Sequence, residues 1–239
     1  MSPRRIGILG GMGPEATVLL MQKLIAAVPV EDDAGHIPLI VDMNPQVPSR
    51  IRRLIDGAGE DPGPVLAAMA QRLEAAGAEA LAMPCNTAHH YAPAIRAATG
   101  LPFIDMVAQA VDRAARMAGA GSAVGVLASP AVQRIGLFDS ALAEVGLRAV
   151  HPANGAAMLA AIRAIKAHGP SDTSHATLRA ASAELLAAGA AVQLIACTEF
   201  SLQPGATAPG AAALDTLDAL VDAIVVFALP GEVEKGAAA

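Results

Sequence analysis

The chain contains two cysteines, and each lies in a similar local sequence. Their surroundings are residues 83–87 (MPCNT) and residues 195–199 (IACTE). An Ala-Ala-Gly-Ala segment precedes each cysteine at the same distance, so 112 residues separate Gly77 from Gly189 and also Cys85 from Cys197. This repetition without a gap indicates two copies of one structural unit.

Two thiols on opposite walls of one pocket can invert a carbon centre by proton transfer. One thiolate removes a proton from one face of the carbon, and the opposite thiol delivers a proton to the other face. The ordinary thiol pKa of about 8.5 is close enough to neutrality for both forms to be used. Cys85 and Cys197 each precede a predicted helix start, whose dipole and free N–H groups we expect to lower the thiol pKa and to hold a carboxylate. No sequence motif for pyridoxal phosphate or for a metal is visible, so we expect no cofactor.

Short β-branched runs separated by glycine turns and helical segments predict the elements that position the cysteines. In the first half we predict strands at 6–9, 37–43 and 79–83 and helices at 14–28 and 65–76. In the second half we predict strands at 123–127, 148–151 and 192–196 and helices at 137–145, 158–166 and 178–188. This order predicts an α/β fold of two pseudo-symmetric lobes, each a parallel sheet flanked by helices. Because ligands bind at the carboxyl ends of parallel strands, we expect the active site in the cleft between the lobes.

The repeat suggests where the chain divides. We assign residues 1–117 to an N-terminal lobe with Cys85, residues 118–213 to a C-terminal lobe with Cys197, and residues 214–239 to a C-terminal helix and tail. We expect that last helix to complete the first lobe. Its aspartates at helical spacing are typical of a surface helix and not of a membrane span.

Composition narrows the possible partners. A net charge of −6 argues against nucleic acid or an anionic membrane as the main partner. Hydrophobic residues make up 54% of the chain and aromatic residues 2%, so we expect an aliphatic core. Two cysteines, and an N-terminal apolar run too short for a secretion signal, predict free thiols in the cytoplasm.

Four segments together resemble the signatures of the aspartate/glutamate racemase family, and of its aspartate racemase branch in particular. They are residues 10–17 (GGMGPEAT), 44–46 (NPQ), 83–89 (MPCNTAH) and 197–199 (CTE). The similarity extends from residue 5 to about residue 228. It implies a two-lobed α/β fold, a catalytic cysteine pair, no cofactor and a homodimer.

The resemblance also implies roles for individual residues. Arg50 and Lys166 match the cations that hold the side-chain carboxylate of a dicarboxylic amino acid. Asn86, Thr87 and Thr198 match residues beside the cysteines that hold the α-amino and α-carboxylate groups.

Other residues near the motifs are candidates for the same pocket. We expect Met12, Gln46 and Ala88 to contact the substrate. We expect His89 and Glu199 to contact the cysteines and not the substrate. For Glu199 a purely structural role at the start of a helix is an equal alternative.

One turn departs from the family pattern. Residues 128–131 (ASPA) stand where relatives carry a threonine-rich turn. We expect Pro130 and Arg134 to influence substrate choice, and we assign no role to Ser129.

The resulting interpretation is cofactor-independent racemisation of aspartate, with Cys85 and Cys197 as the two acid/base groups. Alternatives within the superfamily are a racemase for glutamate or another amino acid, a maleate isomerase and a malonate decarboxylase. A non-catalytic sensor of a small ligand is a further alternative, and a buried cysteine is often simply a small hydrophobic residue.

A dinucleotide-binding protein and a metal protein are disfavoured. Gly11, Gly13 and Ala16 after a strand fit a loose dinucleotide fingerprint, but Asp42 lies further along the chain than the expected spacing of about 20 residues. His89 and His90 lack a second pair of ligands at zinc spacing, so we expect no metal.

Overall fold

The computed structural model describes residues 2–230, which form eight strands and ten α-helices. The first half contains β1 (Ile6–Gly10), α1 (Pro14–Ala27), β2 (Leu39–Met43), α2 (Arg50–Leu54), α3 (Gly63–Ala75), β3 (Ala80–Ala82), α4 (Ala92–Ala98), β4 (Phe103–Ile104) and α5 (Met106–Met117). The second half contains β5 (Ala123–Leu127), α6 (Pro130–Arg134), α7 (Leu137–Glu144), β6 (Arg148–Val150), α8 (Gly155–His168), α9 (Asp172–Ala187), β7 (Val192–Ile195), β8 (Ala212–Asp215) and α10 (Thr216–Ala228).

The strands form two four-stranded sheets with the same topology. The strand order is β2-β1-β3-β4 in the first sheet and β6-β5-β7-β8 in the second. Every pairing is parallel, for example Ile8 with Ala82 and Leu127 with Ile195. The predicted fold of two pseudo-symmetric α/β lobes is therefore confirmed. Cys85 follows β3 and Cys197 follows β7, which are equivalent strands in the two sheets.

Helices cover both faces of each sheet, as parallel sheets require. One face of the first sheet packs against α1 and α10 through side chains such as Leu20 and Leu220, and its other face packs against α3 through Leu66 and Leu73. The second sheet is covered by α5 and α7 on one face and by α8 and α9 on the other. Aliphatic side chains dominate all four core clusters, in agreement with the composition.

The two halves exchange their last helices. Helix α5 lies within the range assigned to the N-terminal lobe, but Val107, Val111 and Ala114 belong to the core of the second sheet. Helix α10 ends the second half, and its Leu220 and Ile224 belong to the core of the first sheet. The boundaries at residues 117 and 213 therefore remain a proposal about how the sequence divides. The helices that cover each sheet do not follow these boundaries. Residues 231–239 of the proposed tail lie outside the described residues.

The short strands β4 and β8 had no counterpart in the sequence prediction, because β4 has only two residues and β8 begins with two exposed alanines, which are not typical strand residues. The structure places residues 214 and 215 in β8, so the C-terminal helix begins at Thr216. Between residues 2 and 230, no helix is long and apolar enough to cross a membrane.

Candidate active site

A cavity of about 580 Å³ lies at the carboxyl ends of strands from both sheets. Its walls come from the segments after β1, β2 and β3 in the first half and from the segments after β5 and β7, together with α8, in the second half. Cys85 and Cys197 both line it, and each thiol-bearing residue is 7% exposed. The repeat thus brings the two cysteines of the described chain to one cavity, with one contributed by each half.

The glycine turn after β1 is explained by close packing of the backbone. Gly11 has a φ of 91°, and a Cβ atom there would lie 2.4 Å from the carbonyl carbon of Asn44. Only glycine therefore permits the turn after β1 to lie against the segment after β2. Asp42, the residue compared above with a ribose-binding acid, accepts two hydrogen bonds from Arg72, at 3.0 and 2.7 Å.

His89 lies behind Cys85 and is buried. Its Nε2 accepts a hydrogen bond from the Met106 N–H at 3.1 Å, so its proton is on Nδ1. Nδ1 donates to the Cys85 carbonyl at 2.8 Å. Burial lowers the pKa of His89, while the nearby Asp105 carboxylate acts in the opposite direction. The ring is therefore neutral at neutral pH and positions the backbone of Cys85.

Cys197 is linked to two charged side chains. Its Sγ donates a hydrogen bond to Glu199 Oε2 at 2.9 Å, and Glu199 Oε1 forms an ion pair with the Lys166 ammonium group. Glu199 is 7% exposed, so its carboxylate is held by these two partners away from most solvent. Lys166 comes from the last turn of α8, which follows β6.

The expectation that a helix start lowers the thiol pKa is wrong for Cys197. Only a short 3₁₀ turn, Phe200–Leu202, follows this cysteine, whereas the 3₁₀ turn Thr87–Tyr91 after Cys85 continues into α4. Burial and the negative charge of Glu199 raise the pKa of Cys197 well above its ordinary value, and they outweigh the Lys166 charge and the Glu199 N–H that favour the thiolate. The pKa of Lys166 is raised. Burial acts to lower it, but Glu199 and the two sulphurs outweigh burial, so the ammonium group is charged.

Four cations line the cavity, and the sequence singled out two of them. Arg50 and Lys166 are in the lining as expected, and Arg52 and Arg163 join them. The spacing contained a signal for Arg163, since it lies three residues before Lys166 on one helix face. Two carboxylates, Glu15 and Glu199, line the same cavity. The charged side chains among its lining residues therefore carry a net positive charge.

The remaining predicted substrate contacts divide into two groups. Met12 and Thr87 line the cavity, whereas Gln46, Asn86, Ala88 and Thr198 are not among its lining residues. Gln46 is exposed. Asn86 is buried and donates from Nδ2 to Thr216 Oγ1 at 3.0 Å, which links the segment after Cys85 to α10.

The turn after β5 contributes a residue to which the sequence assigned no role. Ser129 lines the cavity, and its hydroxyl lies 3.5 Å from that of Thr87. Pro130 begins α6, and Arg134 at the end of α6 donates to the Ile55 carbonyl at 2.6 Å. Arg134 thus holds the segment after α2 without lining the cavity. Within residues 2–230, no group of three or more His, Cys, Asp or Glu side chains is arranged to hold a metal ion.

Comparisons with known proteins agree with this architecture. The family model described as Asp/Glu/hydantoin racemase matches residues 9–224. Among solved structures, the Picrophilus torridus aspartate racemase is similar with a TM-score of 0.83 at 23% identity, covering 94% of each chain. An aspartate racemase homologue from Pyrococcus horikoshii is similar with a TM-score of 0.72 at 20% identity, covering 94% of this chain and 99% of that one.

A more distant likeness is the glutamate racemase from Francisella tularensis in complex with D-glutamate. Its TM-score is 0.65 at 15% identity, and the match covers 98% of this chain and 83% of that one. At these identities the structural likenesses show a shared fold, while the family model spans most of the sequence. The chain described here belongs to the Asp/Glu/hydantoin racemase family.

Proposed function

We propose that this protein is a cofactor-independent racemase that interconverts L- and D-aspartate, with Cys85 and Cys197 as its two acid/base groups. The observation that carries this proposal is the arrangement of the cavity. Two thiols at equivalent strand ends of the two halves line the same space, together with cations suited to an acidic substrate.

The proposed reaction is an inversion at the α-carbon. One thiolate removes the α-proton, the carbon gains carbanion character that the adjacent carboxylate shares, and the opposite thiol protonates the other face. The cations that line the cavity stabilise this charge, because they are already in place when it develops. This scheme uses no cofactor.

The proposed choice of substrate depends on charge. Arg50 uses one terminal nitrogen to donate to the Val47 and Pro48 carbonyls, at 3.2 and 3.1 Å, and its buried Nε has no hydrogen-bond partner within residues 2–230. A buried donor without a partner is unfavourable, so a substrate carboxylate is a natural acceptor for it. Arg52, Arg163 and Lys166 add positive charge to the same cavity.

Glutamate is the second candidate. The cavity of about 580 Å³ has room for one more methylene group, and the cations select for negative charge more than for chain length. Rates with both amino acids would decide between them. The homodimer and the cytoplasmic location expected from the sequence also remain proposals.

The first test is to incubate the protein with L- and D-aspartate in heavy water. We expect loss of the α-proton signal in NMR without an added cofactor, and the opposite enantiomer on a chiral column. Exchange of the α-proton of glutamate, but not of aspartate, would identify glutamate as the substrate. Tight aspartate binding without exchange would favour a sensor over an enzyme.

The two-thiol mechanism predicts the effect of single substitutions. Cys85→Ser and Cys197→Ser should each lower racemisation by about 10²-fold or more, because a hydroxyl of much higher pKa replaces the acid/base group. Circular dichroism should show unchanged folding, since serine is nearly the same size. Full activity in either variant would rule out this mechanism.

A further inference from the structure

The two thiols occupy equivalent places in the repeat but have different neighbours. Two residues after Cys85 the chain carries Thr87, and two residues after Cys197 it carries Glu199. Thr87 is neutral, and its hydroxyl faces that of Ser129. Glu199 places a buried carboxylate against the sulphur. The pseudo-symmetric site is therefore electrostatically asymmetric.

Contact between Cys197 and Glu199 favours the protonated form of this thiol. The Sγ–H group donates to Glu199 Oε2 at 2.9 Å, and loss of the proton would leave two negative charges at that distance. Repulsion at so short a distance in a buried site is strong. The other oxygen of Glu199 pairs with the Lys166 ammonium group, so Oε2 is left to accept the hydrogen bond from the Cys197 thiol.

Cys85 has no such carboxylate beside it in the segment that follows. The Lys166 ammonium group interacts electrostatically with both sulphurs. Because the Glu199 carboxylate contacts Cys197, a single proton shared between the two thiols is better placed on Cys197 than on Cys85. The charged side chains that line the cavity with the thiols are Glu15, Arg50, Arg52, Arg163, Lys166 and Glu199.

We propose that Glu199 is a further catalytic residue, which holds the proton on Cys197 so that the unliganded enzyme starts with Cys85 as the base and Cys197 as the acid. This inference rests on the two-thiol racemase proposed above. It states which of the two thiols, equivalent in the repeat, acts first as the base.

The proton balance has a kinetic consequence. In the direct cycle the Cys85 thiolate takes the α-proton and the Cys197 thiol protonates the opposite face, which leaves a thiol at Cys85 and a thiolate at Cys197. A proton then passes from Cys85 to Cys197 through water, and the starting form is restored. The other enantiomer requires the disfavoured form, with the thiolate beside Glu199.

Enantiomers have equal free energies in water, so kcat/KM must be equal in the two directions. The asymmetry therefore appears in kcat and KM separately. We expect the enantiomer whose α-proton faces Cys85 to have the lower KM and the lower kcat. In Glu199→Gln the ratio of the two KM values should move toward or past one by about tenfold, since one pKa unit corresponds to a factor of ten.

A test that needs no substrate is alkylation of the unliganded protein by iodoacetamide, with each thiol followed by peptide mass spectrometry from pH 6 to 10. The two cysteine residues are equally exposed at 7%, so similar rates at high pH are expected. Near pH 7 we expect Cys85 to react about tenfold faster or more, because the thiolate is the nucleophile. Glu199→Gln should raise the Cys197 rate by about tenfold and leave the Cys85 rate within about twofold.

Two variants serve as controls. Glu15→Gln removes the other carboxylate of the cavity and should shift the pH midpoint of Cys197 alkylation less than Glu199→Gln does, because Glu199 is the carboxylate bonded to the sulphur. Glu199→Asp retains the charge and should keep Cys197 slow. Equal pH midpoints for the two thiols in the unchanged protein, or a Cys197 rate that Glu199→Gln does not raise, would overturn the inference. Because no substrate is used, these outcomes are independent of whether aspartate is racemised.

Discussion

His89 connects the segment after β3 to the start of α5. Its ring accepts the N–H of Met106 and donates to the carbonyl of Cys85. Together these two contacts require a neutral ring with its proton on Nδ1. Since burial lowers the pKa of His89, the folded protein disfavours the charged ring. The Met106 contact, and with it the position of the Cys85 backbone, is thus coupled to pH through one residue.

This coupling predicts how stability changes with pH. A histidine whose pKa is lowered by folding contributes fully above its ordinary pKa of about 6.5, and its contribution is lost as the pH falls below that value. His89→Gln should unfold more easily at pH 8 by about 1–3 kcal/mol, because a buried hydrogen bond is lost. Between pH 6.5 and 5 its stability should change less than that of the unchanged protein. Urea unfolding at several pH values measures both.

Asp215 titrates in the same range and acts in the opposite sense. Burial raises its pKa to about 6, so the folded state gains stability from this group as the pH falls. The unchanged protein and His89→Gln both retain Asp215, so the difference between their curves of unfolding free energy against pH reports on His89. Parallel curves would contradict the predicted pH dependence of the His89 contribution.

Helix α10 shows how one element serves both halves. Its first residue follows Asp215, whose carboxylate accepts the Leu217 N–H at 2.8 Å and caps the helix. Its apolar face packs on the first sheet. Thr216 Oγ1 accepts from Asn86 and donates to the Ile195 carbonyl, both at 3.0 Å, so the start of the helix links the two cysteine-bearing strand ends.

Substitutions along α10 should therefore differ sharply. Leu220 is fully buried, and Leu220→Ala should lower the free energy of unfolding by about 2–5 kcal/mol through lost burial and a cavity. Val226 on the same helix is 53% exposed, and Val226→Ala is the matched control, with a change of about 0.5 kcal/mol or less. Urea unfolding gives both values. Similar losses at the two positions would contradict the packing of α10 on the first sheet.

The whole molecule is held together by the exchange of α5 and α10. Each sheet obtains one of its covering helices from the other half of the chain. Without the exchanged helix, one face of each sheet would be covered by α1 or α7 alone, and an incompletely covered parallel sheet exposes apolar surface. Each half therefore depends on a helix from the other half to complete its core.

We expect the complete chain to unfold in one transition and residues 2–117 expressed alone to lack cooperative unfolding. The isolated half would lose α10 from one face of its sheet and would expose the apolar face of α5. Thermal melting followed by far-ultraviolet circular dichroism compares the two. A sharp transition in the isolated half would show that it folds without the rest of the chain.

The amino-acid sequence by itself determined the repeat, the parallel α/β architecture and the location of Cys85 and Cys197 at strand ends. Local periodicity and glycine turns carry this information, because strands and helices are recognised from residues close together along the chain. The exact repeat distance then made the two thiols equivalent. Arg50 and Lys166 were recognised through the family resemblance, and both line the cavity.

Only the tertiary structure decided which neighbours the thiols have and how acidic Cys197 is. The contacts of Glu199 with Lys166, the place of Ser129 in the cavity and the packing of α5 on the second sheet join residues that are remote along the chain or whose direction a pattern does not reveal. The raised pKa of Cys197 depends on burial and on the distance to Glu199. Burial and distance are properties of the packed molecule, so local sequence patterns do not contain them.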